Sequence, residues 1–288
     1  MRPALRLIAI GAAAAICPQL AAAASSPVGK PRRIVTMNLC ADMLALQLVP
    51  KDRIAAVTYL AHDGAQVLFP GRDAGIPINY GTAEDIIRFR PDLILAGDFS
   101  TPMTRRLAKR VGARVVELKS ASSFAEARVA VRQAAAAVGE VERGEALIRQ
   151  MDAKLAWLAA HPPARPLRVV AWSGGISVPG KGTLENAVIE AAGAVNIAAQ
   201  PGVIYTTFDV ERLLMAQPDA LLFGGAQAGQ LSLQDDQGKH RVVLRLYGDR
   251  RVAYNELGVT CGLPQSADTA MELRRALDAL PPRRWRLR

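Results

Sequence analysis

The sequence predicts an α/β protein in which two lobes, each built on a parallel sheet, are joined by one long α-helix. The first observation is an internal repeat, because residues 83–97 and 210–224 align at a constant offset of 127. Each half also opens with an apolar strand, at 33–36 and at 168–172. Between the halves, residues 140–161 carry apolar side chains at helical spacing, which gives a helix of about 33 Å. Strands that alternate with helices in both halves indicate parallel sheets.

Each copy of the repeat predicts a short capped helix followed by a buried strand. The copies read AEDIIRFRPDLILAG and VERLLMAQPDALLFG. Thr82 and Asp209 precede the two helices and suit the capping position. Glu84 and Glu211 fall in the first turns, where a carboxylate interacts favourably with the helix dipole. Each helix stops before a proline, and the apolar run that follows is typical of a strand in a parallel sheet.

Further helix and strand candidates complete both lobes. They lie at 42–49, 54–57, 103–111 and 115–118 in the first half and at 184–192, 242–246 and 266–280 in the second. The predicted organisation is a leader at 1–24, an N-terminal lobe at 33–139, a joining helix at 140–161, a C-terminal lobe at 165–280 and a basic tail at 281–288. Because a helix restricts lobe motion more than a flexible linker does, we expect small changes on ligand binding.

The first 24 residues are predicted to be a cleaved signal peptide. Arg2 and Arg6 give a positive start, residues 7–16 are apolar and uncharged, and small residues lead up to Ala24. The apolar run is too short for a membrane anchor, and no later segment reaches spanning length without a charge. The alternative is a retained or lipidated N-terminus, with Cys17 as the lipidation site, but the residue before that cysteine is bulky. We therefore expect an exported, periplasmic protein.

Much of the formal net charge of +10 comes from the two ends of the chain. Residues 25–288 carry 34 basic and 26 acidic residues, a net charge of +8, and residues 25–280 carry 30 and 26, a net charge of +4. The tail at 281–288 contributes four arginines and is expected to be a solvated end, with contact to a membrane surface or an anionic partner as the alternative. Only 5% of residues are aromatic, so we expect no nucleic-acid partner.

Motifs of enzymatic chemistry are missing from the sequence. Residues 175–181 resemble a phosphate-binding loop, but Gly182 stands where the magnesium-binding Ser or Thr belongs. Neither a G-x-S-x-G elbow nor an H-E-x-x-H motif is present. The three histidines are far apart in sequence, at His62, His161 and His240. Three candidate acids have no His or Cys at a spacing that suggests a catalytic pair, namely Asp42, Asp63 and Asp85. We therefore expect no enzyme activity.

Three segments make this chain resemble the helical-backbone substrate-binding proteins of ABC importers, which carry cobalamin, ferric siderophores and haem. They are RIVTMNLCADMLALQL at 33–48, the repeated block, and GKGTLENAVIEAAGAVNIA at 180–198. The resemblance covers residues 33–280 and implies two Rossmann-like lobes with a ligand cleft between them. It also implies a metal chelate as ligand, no resident cofactor, and an ABC permease with its ATPase subunits as partner.

The resemblance implies roles for individual residues. Glu84 and Glu211 match the acids, one on each lobe, that dock against permease arginines, although both also suit their helix dipoles. Tyr59 and Tyr205 match aromatic positions of the ligand cleft, and Tyr80 lies near a third such position with a different spacing. Flat aromatic side chains suit a corrin, a porphyrin or a catecholate.

The choice of ligand remains open at this point. The tyrosines favour cobalamin or another corrinoid, whereas Arg72, Arg88 and Arg90 near the predicted cleft side favour an anionic ferric siderophore. Haem ranks third, with Tyr59 or His62 as its axial ligand.

Cys40 and Cys261 resemble cleft-facing positions of the family and are included among the ligand-binding candidates. Three outcomes are open for them: a disulfide across the cleft, two separate thiols, or thiolate contact with a bound metal centre. An exported α/β enzyme or metal-centre assembly protein that uses these two cysteines is the alternative function.

Overall fold

The computed structural model describes residues 29–98, 112–172, 177–224 and 240–282, together with Arg106 and Arg110. Within these residues the strands β1 to β11 are Ile34–Thr36, Ile54–Thr58, Ile78–Asn79, Leu93–Gly97, Arg114–Leu118, Arg168–Ala171, Val178–Pro179, Val195–Asn196, Tyr205–Thr206, Ala220–Gly224 and Arg251–Tyr254. The helices α1 to α10 are Leu39–Leu48, Ala61–Leu68, Ala83–Phe89, Phe124–Val138, Val141–Ala160, Leu184–Ala191, Val210–Ala216, Arg241–Tyr247, Leu257–Thr260 and Ser266–Asp278. The predicted leader lies outside the described residues, as does the tail beyond Pro282 and nearly all of the predicted element at 103–111.

Each lobe is built on a parallel sheet. The N-terminal sheet has the strand order β3-β2-β1-β4-β5, and the C-terminal sheet has the order β11-β10-β6-β8. In the first sheet, Ile34 of β1 pairs with Ile54 on one side and Leu93 on the other. The interior strand β4 is buried along its whole length, as its apolar run predicts. A short antiparallel pair, β7 with β9, adds to the second lobe.

The internal repeat is a structural repeat as well. Helices α3 and α7, and strands β4 and β10, begin and end at positions that differ by the same offset of 127 residues. Thr82 Oγ1 accepts a hydrogen bond from the backbone N–H of Asp85, and Asp209 caps α7 in the same way. The α/β fold with parallel sheets predicted from these segments is confirmed.

Both repeat helices also end in the same unusual backbone conformation. Arg90 and Gln217 follow them with φ of 44° and 46°, and they are the non-glycine residues with positive φ in the described part of the chain. A left-handed residue ends a helix abruptly, and here the proline that comes next prevents the helix from continuing. The two turns therefore send the chain into β4 and β10 by the same route.

The aspartate after each of these prolines fixes the neighbouring strand, a role that the sequence did not reveal. Asp92 accepts hydrogen bonds from the backbone N–H groups of Arg32 and Arg33, at 2.7 and 3.0 Å. Asp219 likewise accepts one from the backbone N–H of Arg168 at 2.9 Å. Each carboxylate thus ties the turn before β4 or β10 to the start of the adjacent strand, β1 or β6.

Helix α5 connects the two lobes and is bound to both. Its ion pair with the first lobe joins Asp152 to Arg128 of α4 at 2.6 Å. Its ion pair with the second lobe joins Lys154 to Asp268 of α10 at 2.5 Å. Helix α5 packs against both α4 and α10. It therefore connects the lobes through packed contacts rather than as a flexible linker.

The segment after α9 makes a second connection between the lobes. Cys261 and Leu263 belong to the C-terminal half but pack into the apolar core of the first lobe. Gly262 lies so close to the first lobe that an added Cβ atom would stand 2.2 Å from Cβ of Ala121. A side chain does not fit there, so only glycine allows this approach.

Among the described residues, no helix combines the length and the apolar composition of a membrane span.

Candidate functional site

Two of the predicted ligand-binding tyrosines come together at the carboxyl edge of the N-terminal sheet. Tyr59 follows β2 and Tyr80 follows β3, and their rings stack with centroids 5.9 Å apart and planes inclined by 17°. More than half of each side chain is exposed, 55% for Tyr59 and 69% for Tyr80. Ligands of open parallel sheets bind at this edge. The pair therefore presents flat aromatic surface at the place where a ligand is expected.

His62 lies close by, in the first turn of α2, and is oriented by a carboxylate. Its Nδ1 atom is 2.9 Å from Oδ2 of Asp73. A partner on Nδ1 leaves Nε2 as the ring nitrogen available to a ligand. His62 and Asp73 also line a cavity of about 310 Å³, together with Thr58 and Gln66. Within the described residues, no group of three or more His, Cys, Asp or Glu side chains is arranged to hold a metal ion.

Tyr205 lies in the other lobe, on the antiparallel pair β7 and β9. It pairs with Pro179, and 62% of its side chain is exposed. The strand end is held by Arg212, whose guanidinium donates to Thr206 Oγ1 at 3.0 Å and to the carbonyl oxygen of Thr207 at 2.6 Å. The structure thus places the third predicted tyrosine on the surface of the second lobe.

The two cysteines form a disulfide between the lobes. Cys40 lies at the start of α1 and Cys261 directly after α9, with their Cα atoms 5.2 Å apart. The bond decides among the three open outcomes, because neither residue keeps a thiolate for a metal centre. Cys261 is only 1% exposed, so its assignment as a ligand contact is corrected; Cys40 is partly exposed, and its assignment stays a prediction. A cavity of about 20 Å³ beside Cys40, lined by both lobes, has room for a single water molecule.

The arginines expected near the cleft lie elsewhere. Arg88 and Arg90 are at the end of α3, which runs antiparallel to the strands and so ends at the amino edge of the sheet. Arg72 donates to the carbonyl oxygen of Leu46 near the end of α1, at the same edge. Their assignment to the cleft side is therefore wrong, because α1 and α3 both end at the edge of the sheet opposite the one that carries the tyrosines.

Glu84 and Glu211 occupy equivalent positions on the two lobes. Each lies in the first turn of its repeat helix, α3 or α7, and each is exposed. Their equivalence follows from the shared helix bounds of the repeat. Both side chains are accessible to a large partner.

A partly buried acidic cluster in the second lobe is not recognisable from the sequence. The hydroxyl of Tyr254, at the end of β11, donates a hydrogen bond to Oε1 of Glu185 in the first turn of α6. The pKa of Glu185 is raised from 4.5 to about 7, mainly by burial; the hydrogen bond from Tyr254 opposes this rise, and the nearby charge of Glu256 adds to it. Burial, followed by the charge of Glu185, also raises the pKa of Tyr254. The two residues are 69 positions apart, so this contact cannot be recognised without the fold.

This pKa predicts a pH dependence of stability that a single substitution removes. Between pH 4.5 and about 7 the folded protein retains a proton on Glu185 that the unfolded chain has lost, so stability falls as the pH rises through this window. We expect Glu185→Gln to be more stable than the original protein at pH 8, by roughly 2 kcal/mol, and similar to it below pH 4.5. Urea unfolding at both pH values measures the difference. The control is Glu190→Gln, an exposed residue of the same helix, and equal changes in both variants would contradict the prediction.

The chain has two Rossmann-like lobes that share a long helix, and exposed aromatic side chains lie beyond the strand ends. These features define a two-lobed binding protein for a small molecule. The family described as "Periplasmic binding protein" has a model that matches residues 43–243, more than half of the 288 residues. The chain belongs to this family. Its members bind substrates for ABC transporters and are not enzymes, so delivery of a small molecule to a permease is the function of the class.

Solved structures of similar fold cover most of this chain. The periplasmic heme-binding protein RhuT from Roseiflexus sp. RS-1 is 24% identical, with a TM-score of 0.68 over 87% of this chain and 99% of its own. The periplasmic heme-binding protein HutB of Vibrio cholerae is 20% identical, with a TM-score of 0.70 over 87% and 99%. The periplasmic vitamin B12-binding protein BtuF of Vibrio cholerae is 20% identical, with a TM-score of 0.62 over 86% and 97%. No curated protein sequence matches this chain significantly.

Proposed function

We propose that this protein is the periplasmic receptor for a flat metal chelate of the tetrapyrrole class, a corrinoid or haem, which it delivers to an ABC permease. The observation that carries the proposal is the stacked, exposed pair of Tyr59 and Tyr80 at the carboxyl edge of the sheet. A flat macrocycle buries a large area against such a surface. Tyr205 supplies an aromatic contact from the second lobe.

The side chains beside the pair fit the metal of such a ligand. Axial ligands of tetrapyrrole metals include imidazole nitrogen and phenolate oxygen. Asp73 contacts Nδ1 of His62, so Nε2 is the ring nitrogen that can bind a metal. Tyr59 can provide its hydroxyl oxygen. An anionic ferric siderophore ranks lower, since Arg72, Arg88 and Arg90 lie at the far edge of the sheet.

The comparisons support the same ligand class. RhuT and HutB are described as heme-binding proteins and BtuF as a vitamin B12-binding protein. Haem and vitamin B12 are both metal tetrapyrroles, so one fold accommodates both kinds of macrocycle. Another protein of similar fold is described as bound to molybdate, so the ligand has to be measured directly.

Export and docking complete the proposal. Cleavage after the predicted leader, near Ala24, releases the binding protein into the periplasm. Glu84 and Glu211, one on each lobe, then dock on arginines of the permease, and the ATPase subunits on the other side of the membrane drive uptake. The ligand is released into the permease without any chemical change.

Titration of the purified protein tests the ligand class. Haemin, cobinamide, cobalamin and a ferric siderophore are each added while visible absorption is recorded. We expect saturable binding of haemin or of a corrinoid, and at least about tenfold weaker binding by Tyr59→Ala, because the stacked contact is lost. His62→Ala should also alter the absorption bands of the bound chelate if its imidazole binds the metal.

A matched control is available on the joining helix. Trp157 is exposed and stacks on His161 with ring centroids 4.4 Å apart. Trp157→Ala removes exposed aromatic surface of the same kind from a different place, and should leave binding unchanged. Saturable binding of the siderophore alone, or of none of the four compounds, would reject the tetrapyrrole proposal.

A further inference from the structure

We propose that Asp42 is a positioning residue of the ligand site, because its buried carboxylate holds the backbone on both sides of Tyr59 before a ligand arrives. This role rests on the ligand contact proposed above for Tyr59. Asp42 lies in α1 and is 0% exposed. Its position behind the site, rather than in it, means that it acts through Thr58 and not by touching the ligand.

Asp42 holds Thr58, the residue before Tyr59, through two hydrogen bonds. Asp42 Oδ1 accepts a hydrogen bond from the backbone N–H of Thr58 at 3.0 Å, and Oδ2 accepts one from its hydroxyl at 2.5 Å. The same hydroxyl accepts a bond from the backbone N–H of Leu60 at 3.3 Å. The residues before and after Tyr59 are therefore both fixed through one carboxylate. Tyr59 itself stays exposed between two anchored neighbours.

The same network reaches the other member of the stacked pair. Thr36, at the end of β1, donates its hydroxyl to Asp42 Oδ1. Its carbonyl oxygen accepts a hydrogen bond at 3.0 Å from the side-chain amide of Asn79, which is 0% exposed. Asn79 Oδ1 in turn accepts from the backbone N–H of Gly81 at 3.2 Å, and so fixes the residue after Tyr80. Thr36 therefore links the supports of both tyrosines.

Two further features fix the turn that carries Tyr80. The backbone N–H of Tyr80 donates to Asp85 Oδ2 at 2.9 Å. Gly81 has a φ of +76°, a left-handed conformation that glycine adopts without strain. With both turns held, the rings are stacked in the free protein, and less conformational entropy is lost when a ligand binds. Pre-organisation of this kind increases affinity without adding a contact.

Substitutions at Thr58 test the role with little change in side-chain volume. Thr58→Val removes the hydroxyl that links Asp42 to Leu60, and Thr58→Ser restores it. The matched control is Thr269→Val, because Thr269 is also buried and also has a hydrogen-bonded hydroxyl, but lies in α10 of the other lobe. A second variant at this residue, Asp42→Asn, keeps the size of the side chain and replaces one of its two acceptor oxygens with a donor amide group.

Fluorotyrosine labelling provides a readout that does not need a ligand. The chain has five tyrosines, so five ¹⁹F resonances are expected, and Tyr59→Phe and Tyr80→Phe assign two of them. We expect Thr58→Val and Asp42→Asn to shift or broaden these two resonances only, and to weaken binding of haemin or cobinamide about tenfold. Thr58→Ser and Thr269→Val should leave both the resonances and the affinity unchanged.

The two proposals fail in different ways. Unchanged Tyr59 and Tyr80 resonances in both Thr58→Val and Asp42→Asn would overturn the positioning role. A shift of those resonances with unaltered affinity would overturn the link between positioning and binding. Unaltered affinity of Tyr59→Ala for haemin and cobinamide would instead reject the ligand contact of Tyr59, which belongs to the proposed function.

Discussion

Replacing both bridging cysteines, as Cys40→Ala with Cys261→Ala, is expected to lower the free energy of unfolding by about 2–5 kcal/mol. The bond joins residues 221 positions apart, and a crosslink over so long a loop removes much of the conformational freedom of the unfolded chain. For a protein of this size, the loss corresponds to a fall of roughly 10 °C in Tm. Thermal and urea unfolding of the purified protein, without reductant, measure the difference.

Two controls separate the bond from the side chains. The original protein with a strong reductant should unfold at the Tm of the double variant, and the reductant should not change the double variant further. Cys40→Ala alone should behave like the double variant, because one remaining cysteine cannot form the bond. An equal Tm for the oxidised original protein and the double variant would show that the bond contributes no stability.

Reversing the charge of both docking acids, as Glu84→Arg with Glu211→Arg, is expected to reduce uptake to the background of cells that lack the protein. Each substitution places a cation opposite the permease arginines that we propose as partners, and like charges across an interface are strongly unfavourable. Ligand affinity should stay unchanged, because both side chains are exposed on α3 and α7 and neither is among the proposed ligand contacts. Uptake of labelled ligand by whole cells and titration of the purified variant measure the two effects.

The joining helix provides a closely matched control. Glu142 is also an exposed acid in the first turn of a helix, α5, and so has the same relation to a helix dipole. Glu142→Arg should reduce stability about as much as either single substitution and leave uptake intact. Normal uptake by the double variant, or equal loss of uptake in Glu142→Arg, would reject the assignment of the two acids to docking.

The sequence was most informative where the determining interactions are local. The caps Thr82 and Asp209, the prolines after the repeat helices and the apolar strands each depend on residues a few positions apart, and these features appear in the structure as predicted. The stacking of Tyr59 on Tyr80 is different. Their positions after two strands were recognisable, but their contact depends on the pairing of β2 with β3.

Interactions between distant segments account for what the sequence could not decide. The carboxylate of Asp42 meets Thr36 and Thr58 only because three elements converge at one edge of the sheet. The partner of Glu185 lies 69 residues away. The choice between a disulfide and two thiols likewise depends on how α1 and the loop after α9 meet, which no spacing rule gives. The position of Arg72, Arg88 and Arg90 likewise depends on the direction in which α1 and α3 run relative to the sheet.

The disulfide also makes most of the molecule a covalent ring. The joining helix, most of the first lobe and much of the second lie between Cys40 and Cys261, so a protease that cuts one peptide bond in this region opens the ring but frees no fragment. Two cuts are needed before any piece can leave. A binding protein that is cut once in this region therefore stays one covalently linked molecule. Whether it remains folded then depends on how well the lobes pack.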